Sequence, residues 1–299
     1  MDDCECILKH FHKVTYEDIA LIEKYLKLMD YEESNHNIVN IMIWLDLYPL
    51  YEIHDEDFMI LIGTYHNEYF MYMPLCHKDK EAEVIRVGKQ LMDSCHIPFT
   101  MSCFVKEYKD IVKDIYPDAR IEDVRDGYDY VYELDKLRGF KGKKLQKKRN
   151  HLNNFYKLYG NRYSYEDIDS HNIHEVIEYM KEQDIEGESL QYERDGIIKV
   201  LENYEKFSNI TGGLIRIDGH VESYIIASRL SDRMIQENVE KSNKDITGLP
   251  QAMINEFFKR HYLEYPYLNR EDDMGIDNLR ISKLSYNPVF MIDKYYINV

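Results

Sequence analysis

The stretch TGGLIRIDGHVESYIIASRL, residues 211–230, constrains this fold more tightly than any other part of the chain. Two apolar segments flank Asp218-Gly219, a pair suited to the mirror-image turn that joins right-twisted strands through a two-residue loop. MIQENVEKS, 234–242, reads as a third strand. An amphipathic helix follows from Gly248 to Tyr262, with Ala252, Met253, Phe257 and Phe258 supplying its apolar contacts.

Around this block the pattern extends both ways. RYSYEDI is strand-like, and His171–Glu182 and Tyr192–Phe207 are helical; YPYLN, a helix around Gly275–Leu284 and the segment NPVFMIDKYYI close the chain. The second half therefore runs β-α-α-β-β-β-α-β-α-β. In the first half Thr15 and Asp18 form a capping box for a helix through about Met29, and a second helix spans 34–48 with Ile38, Ile41, Met42 and Leu45 on one face. DFMILIG and EYFMYMPL, separated by TYHN, read as a hairpin. A helix over Asp79–Cys95, the strand IPFTMSCF, a helix over Lys106–Ile115 and a strand at Asp129–Leu134 complete it. The order nearly repeats, one middle strand short. It resembles the GNAT acyltransferase layout twice over, so the expected class is α/β (α+β), with tandem GNAT-like domains, each a mixed sheet flanked by helices. Domains 1–135 and 136–299 follow, and 299 residues exceed the usual size of one core.

No apolar run approaches the roughly 20 residues that cross a bilayer, and the N-terminus MDDCECILKHF is acidic where a secretory signal is basic and then apolar. A cytoplasmic location without an integral membrane segment is the expectation. The five cysteines, Cys4, Cys6, Cys76, Cys95 and Cys103, are odd in number and lack C-x-x-C spacing, so they read as free thiols, Cys95 and Cys103 buried. Twelve histidines show no metal-ligand spacing, and no metal is expected.

The formal net charge is −17, which disfavours a general nucleic-acid coat, yet eight basic side chains crowd into residues 136–149. Gly142–Tyr159 suits a helix whose apolar face carries Leu145, Leu152, Phe155, Tyr156 and Tyr159. No acid offsets these charges anywhere in 136–159. One reading is a solvated interdomain helix; the other, which the missing acids favour, is a site for a phosphate-bearing ligand.

Three further places could carry chemistry. In NVEKSNKDITGLPQAM, Gly248, Leu249, Gln251 and Ala252 open a helix whose free amides suit a pyrophosphate, as for an acyl-CoA, although a plain helix start explains them equally. Glu240 ends the third strand, where a desolvated carboxylate could take a proton from an attacking amine; an ion pair with Lys241 is the alternative. NREDDMGIDNLRISKLSYNPVF, 269–290, sets five polar residues before a helix that carries Arg280 and Lys283 on one face, an arrangement that dipole complementation explains only in part.

YVYELDKLRGFKGKKLQKKRNHLNNF, ENVEKSNKDITGLPQAMINEFF, YLNREDDMGIDNLRISKLSYNPVF and, in the first half, SNHNIVNIMIW resemble bacterial cytoplasmic proteins similar to the C-terminal domain of phosphatidylglycerol lysyltransferase. Gly142, Lys143, Lys144, Arg149 and Asn150 match that group's G-K-K-x-x-x-x-R-N helix. Leu279, Arg280, Lys283 and Pro288 match its L-R-x-x-K-x-x-x-x-P segment. The resemblance implies a tandem GNAT-like fold related to enzymes that move an aminoacyl group from tRNA to an amine or hydroxyl acceptor.

The expected function is an acyl or aminoacyl transferase with no tightly bound cofactor and an anionic donor, aminoacyl-tRNA or acyl-CoA. Lys143, Lys144, Lys147, Lys148, Arg149 and Asn150 would hold donor phosphates. Arg280 and Lys283 would face a second anionic group or the developing oxyanion, and Glu240, or alternatively Asp273, would assist deprotonation of the nucleophile. The rivals are an acyl-CoA N-acetyltransferase and a non-catalytic module that binds RNA or another anionic partner through the basic helix.

Overall fold

The computed structural model describes residues 9–183 and 186–299. One element order occurs twice. The first copy is β1 (His12–Lys13), α1 (Ile19–Leu26), α2 (Ile38–Ile43), β2 (Leu50–His54), β3 (Phe58–Tyr65), β4 (Glu68–Met71), a short β5 (Leu75–Cys76), α3 (Glu81–Ser94), β6 (Thr100–Val105), α4 (Lys106–Ile115) and β7 (Arg120–Asp123). Next come β8 (Asp129–Glu133), α5 (Leu134–Leu137) and the basic helix α6 (Gln146–Tyr159). The second copy is β9 (Tyr163–Asp167), α7 (Ile173–Lys181), α8 (Glu188–Glu202), β10 (Ile210–Ile217), β11 (His220–Arg229), β12 (Met234–Ser242), α9 (Leu249–Phe258), β13 (Tyr267–Asn269), α10 (Asp277–Ser285) and β14 (Phe290–Ile292). A last strand, β15 (Lys294–Asn298), follows.

Local chemistry accounts for most of these boundaries. Asp218 and Gly219 both take positive φ, 53° and 89°, as the two-residue turn requires, and Ile217 faces His220 across it. His66 and Asn67 do the same between β3 and β4, with φ of 48° and 65°. The Thr15 capping box is present. Where the expected elements differ, a nonlocal contact is the reason. The helix expected over 34–48 shrinks to α2 because Asn37 caps it, accepting the Val39 and Asn40 amides while its own amide reaches Ser228 at 2.8 Å in the other half. Strands β1, β2 and β7 were not expected, and β2 supplies the missing middle strand.

The sheets are ordered β1-β2-β3-β4-β6-β15-β7, with β5 beside β3, and β9-β10-β11-β12-β13-β8-β14. Position for position they match, and the chain has the tandem GNAT-like fold. Each sheet's sixth place is filled from the other half of the sequence. β8 lies antiparallel between β13 and β14, and β15 lies antiparallel between β6 and β7. The tail expected as one segment therefore divides at Asp293 between two sheets. Lys294, at the start of β15, meets Asp129, at the start of β8, at 2.8 Å in a buried ion pair that joins the two exchanged strands.

Strand alternation then sorts two cores. Leu214, Tyr224, Ile226 and Val239 face α7, α8 and the first half in one continuous cluster. Ile215, Ile225 and Ile235 face the opposite way, against α9 and against Leu152 and Phe155 of α6. The apolar face expected for the basic helix is thus the one it buries.

Candidate active site

β12 pairs in parallel with β13 over three positions, Met234–Gln236 against Tyr267–Asn269. Beyond that register the pairing stops, and Glu237 is the next residue along β12. Arg270, directly after β13, donates to Glu237 Oε1 through Nε at 2.7 Å, with Nη2 at 2.6 Å. The other carboxylate oxygen of Glu237 and Oε1 of Gln236 are buried and lack a hydrogen-bond partner among the described residues. A buried oxygen left so costs about 1–3 kcal/mol, so this is where a donor group of a ligand, or a water, belongs.

Elements distant in sequence meet at one ring. The Tyr286 hydroxyl accepts from Gln251 Nε2 of α9 at 2.7 Å. The Arg270 guanidinium lies 4.8 Å from the ring centroid and Lys148 Nζ, from the basic helix, 3.8 Å from it. Two cations thus share one π face, with Glu237 as the partner of Arg270. Desolvation, with repulsion from Arg270 and Lys147, pushes the Lys148 ammonium down to about 8. Glu240 accepts from Ser242 Oγ at 2.5 Å, and burial, with repulsion from Glu237, raises its carboxyl above the ordinary range. Lys241 turns away to Glu193 at 2.9 Å, so the ion pair weighed for Glu240 does not form.

The C-terminal motif divides by role. Arg280 forks onto the buried Asp273 at 2.8 and 2.7 Å and reaches Asp126 at 2.7 Å. Hydrogen bonding by Arg280, and then by Tyr130 at 2.5 Å, holds Asp273 well below the usual carboxylate range, which makes it a poor base. Lys283 donates to the Arg270 carbonyl, and burial lowers its ammonium. Arg280 and Lys283 therefore shape residues 270–276, and Arg270 is the arginine paired with Glu237. Glu271, next in the chain, accepts from Gln236 at 2.7 Å, and its burial pushes it up to about 8.

On the basic helix the roles also separate. Arg149 donates to the Phe140 and Gly142 carbonyls, at 2.7 and 3.2 Å, and so closes the loop before α6. Lys143, Lys144, Lys147 and Asn150 stand exposed. Gly248 has φ of 88°, and a Cβ there would come within 2.3 Å of the His151 carbonyl oxygen. Its glycine thus lets α6 lie directly on the start of α9, whose Leu249, Gln251 and Ala252 are buried. Cys95 corrects the free-thiol expectation: it is disulfide-bonded, whereas Cys76 and Cys103 are free and Cys103 is only half-buried. Sequence spacing does not reveal which thiols lie within bonding distance. Cys4 and Cys6 lie outside the described residues.

Lys148, Gln251 and Glu240 thus converge, and Arg280 with Asp273 sits at the far end of the loop. Arg270, Glu237 and Tyr286 were not singled out from the sequence. The usable sign was an acidic third strand opposite a post-strand arginine.

Comparison with known proteins agrees with this fold. The pattern of the family described as phosphatidylglycerol lysyltransferase, C-terminal, matches residues 26–298. A conserved protein of unknown function from Bacteroides thetaiotaomicron VPI-5482 superposes with a TM-score of 0.88 at 27% identity, covering 97% of this chain and 99% of that one. L-PGS from Bacillus licheniformis has the same fold, with a TM-score of 0.68 at 14% identity over 93% and 91% of the two chains. An uncharacterized protein of Mycoplasmoides gallisepticum is 24% identical over 172 residues, 57% of this chain, and the match spans only 56% of that protein's length. No helix among the described residues is long and apolar enough to cross a membrane. With nearly its whole length matched, the chain belongs to the family of phosphatidylglycerol lysyltransferase C-terminal domains.

Proposed function

We propose that this protein transfers an aminoacyl group from charged tRNA to an amine or hydroxyl acceptor, with the donor bound along α6 and its ester at the β12/β13 opening. The observation that carries this reading is the meeting of Lys148 and Arg270 on Tyr286, next to the unpartnered oxygens of Gln236 and Glu237. Exposed Lys143, Lys144 and Lys147 would hold backbone phosphates, and Lys148 would bring positive charge to the reacting end. Glu240, its proton affinity raised by burial, takes the proton from the nucleophile as the new bond to the carbonyl carbon forms. The ester C–O bond then breaks, and the tRNA hydroxyl leaves with the proton that Glu240 gives back. Arg270, held in place through its carbonyl by Lys283, stabilises the negative charge that builds on the carbonyl oxygen.

An acyl-CoA donor has less support, because Gly248 is taken up by the contact with α6. A module that only bound RNA would use the surface lysines but would have no need of a buried Glu237–Arg270 pair. The test combines two variants. Changing Lys143, Lys144 and Lys147 together to Ala should weaken charged-tRNA binding by about tenfold or more and flatten its salt dependence by roughly two to three phosphate contacts, with the fold intact. Glu240→Gln should lower turnover about 10²- to 10⁴-fold at unchanged donor affinity. Unaltered affinity in the first variant sinks the donor placement, and full turnover in the second removes Glu240 from the mechanism.

A further inference from the structure

The first half has an opening of its own. β4 is parallel to β6 at one pair, Met71 against Met101, and beside it lies a cavity of about 400 Å³. Trp44, Tyr48 and Tyr65 form one wall, their successive ring centroids 6.4 and 5.1 Å apart, and Phe70 with Tyr72, 5.6 Å apart, form another. The second half closes the cavity with Glu271 and Asp272. Among the described residues that line it there is no lysine, arginine or histidine.

The two carboxylates are incompletely satisfied. Asp272 accepts the Met274 amide on Oδ1 at 2.9 Å, and Glu271 accepts Gln236 on Oε1. No hydrogen bond from the described residues reaches the second oxygen of either. Lys294 is 4.0 Å from Asp272, but its ammonium already serves Asp129 at 2.8 Å, Ser34 at 2.9 Å and Asn35 at 2.6 Å, which are all the hydrogens it has. A space of ligand size, walled by π faces and closed by acids with spare acceptors, selects for a cation that can also donate hydrogen bonds.

We propose that this cavity binds the ammonium of a small organic amine between Glu271, Asp272 and the rings of Trp44, Tyr48, Tyr65 and Tyr72, and, on the transferase reading, that this amine is the acceptor. A neutral or anionic occupant would add no positive charge to that of Lys283 near Glu271 and of Lys294 near Asp272. Burial raises the proton affinity of both acids, and a bound cation offsets that cost. Glu271 adjoins Arg270 in the chain, so one loop borders both the amine cavity and the donor opening.

Trp44 is the sole tryptophan of the chain, so its fluorescence reports on this cavity. Titration of the full chain with n-butylammonium should give a saturable change, and n-butanol, similar in size but uncharged, should bind at least tenfold more weakly. Asp272→Asn should lower n-butylammonium affinity about tenfold and leave the n-butanol response alone. Tyr48→Leu, which removes a ring without touching a charge, should also weaken the amine selectively. Equal binding of amine and alcohol, no saturable response, or unchanged amine affinity in a folded variant would each overturn the assignment. Saturable, charge-selective binding without any acyl transfer to the amine would count against the transferase reading and leave the cation site standing.

Discussion

The two halves share strand order, hairpin turns and a parted parallel pair, but only the second half's opening brings basic side chains to its acids. In the first, aromatic rings and three acids, Glu68, Glu271 and Asp272, line a cavity without a basic side chain among its described lining residues. In the second, Lys148 and Arg270 share the ring of Tyr286. The difference comes from segments that the repeat does not contain. β6 ends at Val105 and α4 starts at Lys106, whereas β13 ends at Asn269 and α10 starts only at Asp277. The intervening residues carry Arg270 to one opening and Glu271 and Asp272 to the other. The basic helix likewise has no counterpart before β1 among the described residues. A repeated scaffold thus provides two openings, and two unrepeated segments give them different chemistry.

The largest expected effect falls where the halves are joined. Lys294→Met leaves the buried Asp129 carboxylate facing only neutral donors, Ser34 and Asn269, and should cost about 3–5 kcal/mol in denaturant unfolding. A loss under about 1 kcal/mol would mean that the exchanged strands are held by their ladders alone. A smaller effect is expected within the second half. Gly248→Ala places a Cβ at positive φ and against the His151 carbonyl, so it should destabilise by about 1–3 kcal/mol and weaken donor binding as α6 shifts. Thermal unfolding and donor titration on the same samples test both. The smallest effect is a pH dependence. Lys148 is charged below about 8 and neutral above it, so donor affinity should fall as pH rises through that value, well before an ordinary lysine titrates near 10.5. Lys148→Met should remove this step, and a step that persists would assign it to another group.

Much of the scaffold was legible because its signals are short-range. Asp218-Gly219 and His66-Asn67 set their turns through the φ values their side chains tolerate, and α4 spans the predicted Lys106–Ile115. Leu152 and Phe155 repeat at helical spacing and lie buried on α6. The site was legible as composition: the lysine cluster and the polar run after β13 both contribute to it. Which members of each cluster do so was not. Arg270 and Arg280 lie in the same polar run, 269–290, yet one is paired with Glu237 and the other locked on Asp273. Glu237 sits in a strand from which the sequence singles out Glu240 alone, and its burial depends on β13 ending where it does.

Element types, turns and the repeated order follow from the residues themselves, because period, capping and backbone sterics act over a few positions. Strand choice and charge pairing come from the assembled molecule. β8 and β15 are short apolar-polar strands that fit either sheet, and only three-dimensional packing, with Lys294 against Asp129 between them, selects the exchange. The same packing brings a lysine at 148, a glutamine at 251 and an arginine at 270 to one tyrosine at 286. Contacts across such separations leave no mark in any local window.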